Sequence, residues 1–288
     1  MTSGDWQVAS SYQRFAANEG APLYDGSALE NLKTLPLQEW ERRGGSVAYT
    51  RLGEQENINL QVVEIPPKRQ LKPEHHIYEA VMYVLQGRGA TTIWQEGEPK
   101  QTVEWEENAL LAIPLNAWHQ EFNSSSDEPC RVVFGTNMAH VINLYHNLEF
   151  VFDNPFSFQD RYSHSRQRFF VDAGNQLNLR LFETNFIPDI KNFLLDPYPE
   201  RGKRTSVMRL CMANASLSLH IAEISPGTYM TAHKHGPVAH VLCVGGEGTS
   251  FYLCPANKAG AGSRSSPPRW FLPGATNTIS ISTPATSR

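Results

Sequence analysis

Short apolar segments separated by proline and glycine recur along the whole chain. In the first half they read LQVVEIPP, AVMYVLQGRG and ATTIWQEG, and in the second half LSLHIAEISPG, AHVLCVGGEG and TSFYLC. Each segment is rich in β-branched residues, and long stretches with the spacing of an amphipathic helix are missing from both halves. Strands spaced this closely predict a small antiparallel barrel or jelly roll in each half.

Between the halves, one segment favours a helix. Residues 185–195 (NFIPDIKNFLL) are the best helical candidate, with Pro188 acceptable only in the first turn. We therefore expect a short helical connector between two β-rich units.

The two halves are copies of one unit. Shifting the sequence by 159 residues without a gap superposes six or more identical positions, among them Glu64 on Glu223, Pro67 on Pro226, His76 on His235, Ala80 on Ala239, Gly87 on Gly246 and Gly89 on Gly248. Such a repeat predicts tandem domains. The expected division is an N-terminal arm (1–45), a first barrel (46–150), the connector (151–205), the start of a second barrel (206–256) and an aberrant or disordered tail (257–288).

Composition narrows the possible partners and location. With 288 residues and a formal net charge of -4, the chain has room for two cores and no overall attraction to nucleic acid. The basic run Arg201-Gly-Lys-Arg204 is interpreted as a solvated loop, and the longest apolar stretch (109–115) is too short to cross a membrane. The four cysteines form no CxxC pair, so we expect a cytoplasmic protein with reduced thiols.

A histidine cluster in the second copy indicates a metal site. His233, His235 and His240 follow the turn at Pro226-Gly227 as H-x-H-x4-H. Residues two apart on a strand face the same side, so His233 and His235 can point into one barrel mouth. A single histidine is more often structural, but three within eight residues favour a metal site. Imidazoles suit iron, manganese, nickel, copper or zinc, and three leave coordination positions open.

Two motifs in the first copy resemble those of cupins, and the chain as a whole resembles a bicupin. The second cupin motif is matched by Pro114-Leu-Asn116-Ala-Trp-His119-Gln-Glu-Phe-Asn123, with Asn116 in the usual glycine position. The first motif is eroded to Glu74-His75-His76-Ile-Tyr-Glu79-Ala80. The resemblance runs over about residues 60–133 and 217–253. It implies an all-β fold of two tandem double-stranded β-helix (jelly-roll) barrels with a short helical connector.

The resemblance also implies a mononuclear divalent transition metal, with iron first and manganese, nickel, copper or zinc as alternatives. In the first barrel it points to His76 and His119 as ligands, with Glu79 or Glu74 supplying an oxygen. Glu79 is one residue out of phase with the family's glutamate, so a regular strand would turn it away from His76. His240 is displaced by one position in the same way, and a first barrel without metal stays an alternative.

The end of the chain does not continue the repeat. A second-barrel counterpart of His119 belongs at position 278, where the sequence reads Asn277-Thr278-Ile279. Read from the third base of each codon, suitable codons for the tail from Ala275 encode NEYHQHFNTGNEP, close to the first barrel's NAWHQEFNSSSDEP. We hypothesise a frameshift between about residues 255 and 273 that leaves the second barrel incomplete, which resequencing of the gene tests. The alternative is a low-complexity tail.

Two classes of function follow from the resemblance. The first is an oxidoreductase similar to ring-cleaving dioxygenases such as gentisate dioxygenase, acting on a small hydroxy- or keto-acid. Oxalate decarboxylases and quercetin dioxygenases are related possibilities. Glu121 or His75 could move protons at the first barrel mouth, although no catalytic residue is assigned. The second class is a non-catalytic binding or oligomerisation module. In both cases the family implies a homodimer or a higher oligomer, without nucleic acid or membrane.

Overall fold

The structure, a computed structural model, describes residues 8–53, 56–163, 169–170, 174–232, 239–246, 248 and the strand at 276–282. Within these ranges the helices are α1 (Ser11–Asn18), α2 (Met138–Tyr145) and α3 (Leu148–Phe152). None of these helices is long and apolar enough to cross a membrane. The described chain is therefore mostly β.

Both halves of the described chain contain mainly β-strands. Those of the first half are β1 (Leu23–Gly26), β2 (Gln38–Glu39), β3 (Ser46–Leu52), β4 (Asn59–Ile65), β5 (Ala80–Gln86), β6 (Arg88–Trp94), β7 (Gln101–Glu106), β8 (Leu110–Ile113), β9 (Trp118–Asn123) and β10 (Cys130–Thr136). Those of the second half are β11 (Asn175–Asn178), β12 (Leu181–Glu183), β13 (Phe186–Ile187), β14 (Asp196–Pro197), β15 (Thr205–Cys211), β16 (Ser218–Ile224), β17 (Ala239–Gly245) and β18 (Thr276–Ser282).

The first unit consists of two sheets. One has the order β1-β3-β4-β10-β5-β8-β13, with β2 also paired to β3, and the other has the order β7-β6-β9. Its pairings are antiparallel except for the parallel pair β1–β3. Val62, Met82, Ile93 and Val132 have no exposed surface, so side chains from both sheets fill one core. The prediction of an antiparallel barrel is confirmed for this unit.

The segment between β4 and β5 forms no regular strand, and this irregularity is what positions the candidate site. Pro66, Pro67 and Pro73 have no N–H to donate, which prevents a continuous ladder. Only isolated bridges tie the segment to β9, one between Gln70 and Phe122 and one between Glu74 and His119.

The second unit repeats part of the first. Strands β15, β16 and β17 each begin 159 residues after β3, β4 and β5 and have the same lengths. Strand β18 lies between β16 and β17, as β10 lies between β4 and β5. The predicted repeat is therefore confirmed in the pairing of four strands. Counterparts of β6, β7 and β8 would fall on positions that lie almost wholly outside the described residues, so the incompleteness of the second barrel stays a prediction.

The tail contains a strand that the sequence analysis did not expect. Thr276–Ser282 pairs antiparallel with β16 over its whole length and with β17 from Asn277 to Ser282. Its sequence, TNTISIS, alternates hydroxyl residues with isoleucine at its end, which is typical of strands. Pairing on both sides uses backbone groups of β16 and β17 that would otherwise be open edges. These seven residues of the tail expected to be aberrant or disordered thus form a strand, and the rest of the tail lies outside the described ranges.

The helical candidate of the connector is also corrected. Phe186–Ile187 is strand β13, paired with β8, and Ile190–Asn192 forms a single 3-10 turn. The Asp189 side chain caps this turn by accepting a hydrogen bond from the backbone N–H of Lys191. The segment gains more by pairing with the open edge of the first sheet than a short isolated helix would gain. The connector therefore extends the first unit's sheet.

Candidate metal centre

Three buried side chains meet inside the first unit. Ligand atoms of Glu74, His76 and His119 all lie within 4.8 Å of one another. Glu74 and His119 are held by two backbone hydrogen bonds of 3.0 and 2.8 Å, and the backbone of Asn116 donates to the carbonyl of His76 at 3.0 Å. Because Glu74 and His76 are two residues apart on an extended segment, both side chains point to the same side, toward β9.

Both imidazoles are oriented by a partner on Nδ1. His76 Nδ1 lies 2.8 Å from the carbonyl oxygen of Tyr78, and its ring stacks on the Tyr78 ring at 3.5 Å. His119 Nδ1 lies 2.7 Å from Glu121 Oε1. A carbonyl or an ionised carboxylate can only accept a hydrogen bond, so both Nδ1 atoms carry the hydrogen. The Nε2 of the neutral His76 ring then presents a lone pair toward His119 Nε2, and the two Nε2 atoms are 3.2 Å apart.

This arrangement fits a transition metal ion. Two Nε2 lone pairs at 3.2 Å repel each other, so either a proton on one nitrogen or a metal ion belongs between them. Nitrogen ligands bind such metals at about 2.1 Å, so two of them on one ion are at most roughly 4.2 Å apart. Glu74 Oε1, at 3.9 Å from His119 Nε2, is within the same limit. Metal-binding histidines usually donate their other N–H to a carboxylate or a carbonyl, as His76 and His119 do here.

The protonation states also suit ligands. Burial, reinforced by the neighbouring His119, lowers the pKa of His76 to about 3, so its ring is neutral. Burial raises the pKa of Glu74, but Arg43 and Arg42 outweigh it and hold that pKa well below its usual range. Glu121 is affected in the same way, since Arg43 and His119 lower its pKa to about 2 against the effect of burial.

Two arginines from the N-terminal arm close the site. Arg43 donates to Glu74 Oε1 and to Glu121 Oε2, both at 2.8 Å, and Arg42 donates to Glu74 Oε2. Arg42 also lies over the rings of Trp40 and Phe152, at 5.0 and 4.7 Å from their centroids. Since Glu74 and the two histidines are at most 8% exposed, the site has no open face toward bulk solvent.

Residues 61–135 match the family model for the cupin domain, and this range includes the complete Glu74, His76 and His119 group. These residues are a cupin domain. Strand pairing in the second unit repeats part of that domain, which agrees with the bicupin fold that the motifs imply. No curated protein sequence matches the chain.

Several solved structures resemble the chain at low identity. A 7S globulin from Momordica charantia is 15% identical, with a TM-score of 0.49 over 88% of this chain and 79% of that one. A vicilin from Corylus avellana is 16% identical, with a TM-score of 0.45 over 86% of this chain and 81% of that one. A recombinant oxalate oxidase in complex with glycolate is 18% identical, with a TM-score of 0.27 over 28% of this chain and 42% of that one.

Of the two carboxylates proposed as oxygen ligands in the cupin domain, the structure brings Glu74 to the histidines. Glu79 points instead to the second unit, where it accepts hydrogen bonds from the backbone and hydroxyl of Ser216 and from the backbone of Leu217. Arg161 pairs with it at 3.0 Å. Glu79, which the sequence places one residue away from the family's glutamate position, therefore joins the two units and does not reach the histidines.

The two residues considered for proton transfer occupy different surroundings. Glu121 is fully buried and bound to His119 and Arg43, so it orients a candidate ligand. His75 lies outside the metal-ligand group, with Nδ1 at 3.0 Å from Asn116 Oδ1 and its ring against Trp118.

Sequence reasoning missed Arg43. It precedes Glu74 by 31 positions, and its charge is buried, with a side-chain exposure of only 2%. Arginine is rarely buried without a partner, and no local motif marks this one. The one available signal is its place beside Trp40 and Arg42, just before β3.

The second predicted ligand set is only partly visible. His233 and His235 lie outside the described residues, so the trio with His240 stays a prediction. His240 lies on β17 in a small cavity between the units, and its ring nitrogens have no hydrogen-bond partner. The cavity is lined mainly by apolar residues, which with Gly135 are Leu60, Val81, Tyr83, Leu110, Val133, Val241 and Leu242. Val81 is the counterpart of His240 in the repeat.

Replacing His240 with valine is expected to stabilise the chain by about 1–2 kcal/mol, since it removes a buried polar ring whose nitrogens make no hydrogen bond of normal geometry. Burial lowers the pKa of His240, and a hydrogen-bonding interaction with the backbone of Leu52 opposes this without meeting normal geometry, so the charged form is disfavoured there. Urea unfolding measures the change. His140→Val, at an exposed position of α2, is the control and is expected to shift stability by no more than about 0.5 kcal/mol. A loss of stability in His240→Val would show that the ring has a partner.

Proposed function

We propose that the first cupin domain binds one divalent transition metal through Glu74, His76 and His119. The observation that carries this proposal is the pair of buried Nε2 atoms, 3.2 Å apart beside a carboxylate. Two imidazoles and one carboxylate suit iron(II) first, with manganese, nickel, copper and zinc as alternatives.

We further propose that the protein is a dioxygenase-like oxidoreductase acting on a small hydroxy- or keto-acid. Two histidines and one carboxylate leave coordination positions open, as in non-haem iron oxygenases. When bound, the metal would supply a Lewis acid and a template for the substrate. Arg42 supports an acid as the substrate, because its Nη2 is buried beside the site without a hydrogen-bond partner and an arginine N–H suits a carboxylate.

A second candidate function is a non-catalytic binding or oligomerisation module. One observation favours it: Arg43 already pairs with Glu74 and Glu121, and Arg42 pairs with Glu74 and Glu19, so these ion pairs close the site. In this case the first barrel would serve as a rigid support within a homodimer or a higher oligomer.

Metal analysis and oxygen uptake distinguish these functions. The purified chain is dialysed anaerobically to equilibrium against excess iron(II) and its bound metal is measured, with about one ion per chain expected. His146→Ala, at an exposed position far from the group in sequence, serves as the control and should hold the same amount. Oxygen uptake is then followed with a panel of aromatic hydroxy acids. Bound iron without uptake favours the binding module. A folded chain that binds none of iron, manganese, nickel, copper and zinc, each offered in the same dialysis, contradicts the metal site.

A further inference from the structure

Arg43 makes a closed set of contacts that links both carboxylates of the site. Its Nη1 donates to Glu74, its Nη2 to Glu121, and its Nε to the carbonyl of Lys72 at 2.9 Å. Glu121 in turn holds His119 at 2.7 Å. The guanidinium charge therefore acts on Glu74, a candidate ligand, and on Glu121, which orients the second candidate ligand His119.

The charges around the site nearly cancel without any ion. Glu74, Glu121 and Glu19, which also pairs with Arg42, contribute three negative charges, and Arg42 and Arg43 contribute two positive charges. The two histidine rings add none while they are neutral. A divalent cation entering this cluster gains the nitrogen lone pairs but meets a buried positive charge, which a low-dielectric interior screens poorly.

We propose that Arg43 is an internal counter-cation of the site, which keeps the metal-free barrel folded and makes metal binding weak and reversible. The inference rests on the proposed metal site of the first domain. In this proposal Arg43 sets the affinity of the site for the metal. When no ion is present, its positive charge compensates the carboxylates of Glu74 and Glu121. When a metal ion binds, the same charge repels it.

Arg42 provides a matched comparison from the same arm. It contacts the other oxygen of Glu74, but its side chain is 27% exposed and it has no contact with Glu121. Solvent and salt screen a charge in such a position, so its loss should change metal affinity much less than the loss of Arg43.

The test compares the full chain with its Arg43→Gln and Arg42→Gln variants. Equilibrium dialysis against cobalt(II) gives the dissociation constant, and thermal unfolding with and without cobalt(II) gives the stability. We expect Arg43→Gln to bind cobalt(II) at least about tenfold tighter than the unaltered chain, since a buried positive charge has been removed. Its melting temperature should fall without metal and recover when cobalt(II) is added. Arg42→Gln should change affinity by less than about threefold.

If the unaltered chain and a folded Arg43→Gln variant bind cobalt(II) equally tightly, the proposed role of Arg43 is wrong. That result does not contradict the proposed metal site. If no folded variant, including the unaltered chain, binds cobalt(II), the proposed metal site itself is wrong. Should Arg43→Gln fail to fold with or without metal, chelation of the unaltered chain decides. If Arg43 is the counter-cation, the melting temperature of the chelated chain should fall by no more than about 4 °C, the shift that 1 kcal/mol causes in a domain of this size. A larger fall contradicts the proposal.

Discussion

Replacing His119 with alanine is expected to weaken metal binding at least about a hundredfold. Loss of an outer partner of a metal ligand typically costs ten- to a hundredfold in affinity, and loss of a ligand costs more. The substitution removes one of the two convergent Nε2 atoms and leaves Glu121 with Arg43 as its charged partner. Equilibrium dialysis against cobalt(II) measures the effect, and circular dichroism checks that the variant is folded.

Two further variants make this result specific. Glu121→Gln keeps the shape of the side chain but removes the carboxylate that holds His119 Nδ1, so a ten- to hundredfold loss in affinity is expected. His75→Ala alters a buried histidine of the same segment that lies outside the ligand group, and it should leave the affinity unchanged. Unchanged binding by His119→Ala would exclude this residue as a ligand.

Replacing Glu79 with alanine is expected to destabilise the chain by about 3–5 kcal/mol, the usual effect of removing one member of a buried ion pair. The carboxylate receives three hydrogen bonds from Ser216 and Leu217 and pairs with Arg161. Truncation leaves these donors without an acceptor where the second unit meets the first. Urea unfolding followed by tryptophan fluorescence measures the loss.

The control for Glu79 is Glu104→Ala, an exposed glutamate on β7, with an expected change within about 0.5 kcal/mol. A loss below 1 kcal/mol in Glu79→Ala would mean that the units are held together by other contacts. Glu79→Gln provides a second measurement, because it should keep the metal affinity of the unaltered chain. Weakened metal binding in this variant would restore Glu79 as a ligand.

Much of the fold could be predicted because its signals are local or repeated. The apolar segments around Val63, Val84 and Ile93 became strands β4, β5 and β6, and their second-half counterparts placed β16 and β17 correctly. His76 and His119 were found because each belongs to a motif with recognisable spacing. The helix expected at residues 185–195 failed because pairing with β8 outweighed a weak local preference.

The choice between Glu74 and Glu79 needed the tertiary structure. Both are close to His76 in sequence, but the bridge between Glu74 and His119 turns one carboxylate inward. Ser216 and Leu217, more than a hundred positions away, fix the other. Sequence spacing showed that Glu79 was out of phase and could not show what it binds instead.

The sequence by itself determined the repeated β units, the two histidines of the first domain and the resemblance to cupins, since alternation and motif spacing act over a few residues. Only the tertiary structure decided that Arg43 enters the site, that His240 lies between the units and that the tail supplies β18. Each of these depends on which distant segments pack together. Burial and strand pairing between such segments, rather than local conformational preference, determine which conformation is most stable for these residues.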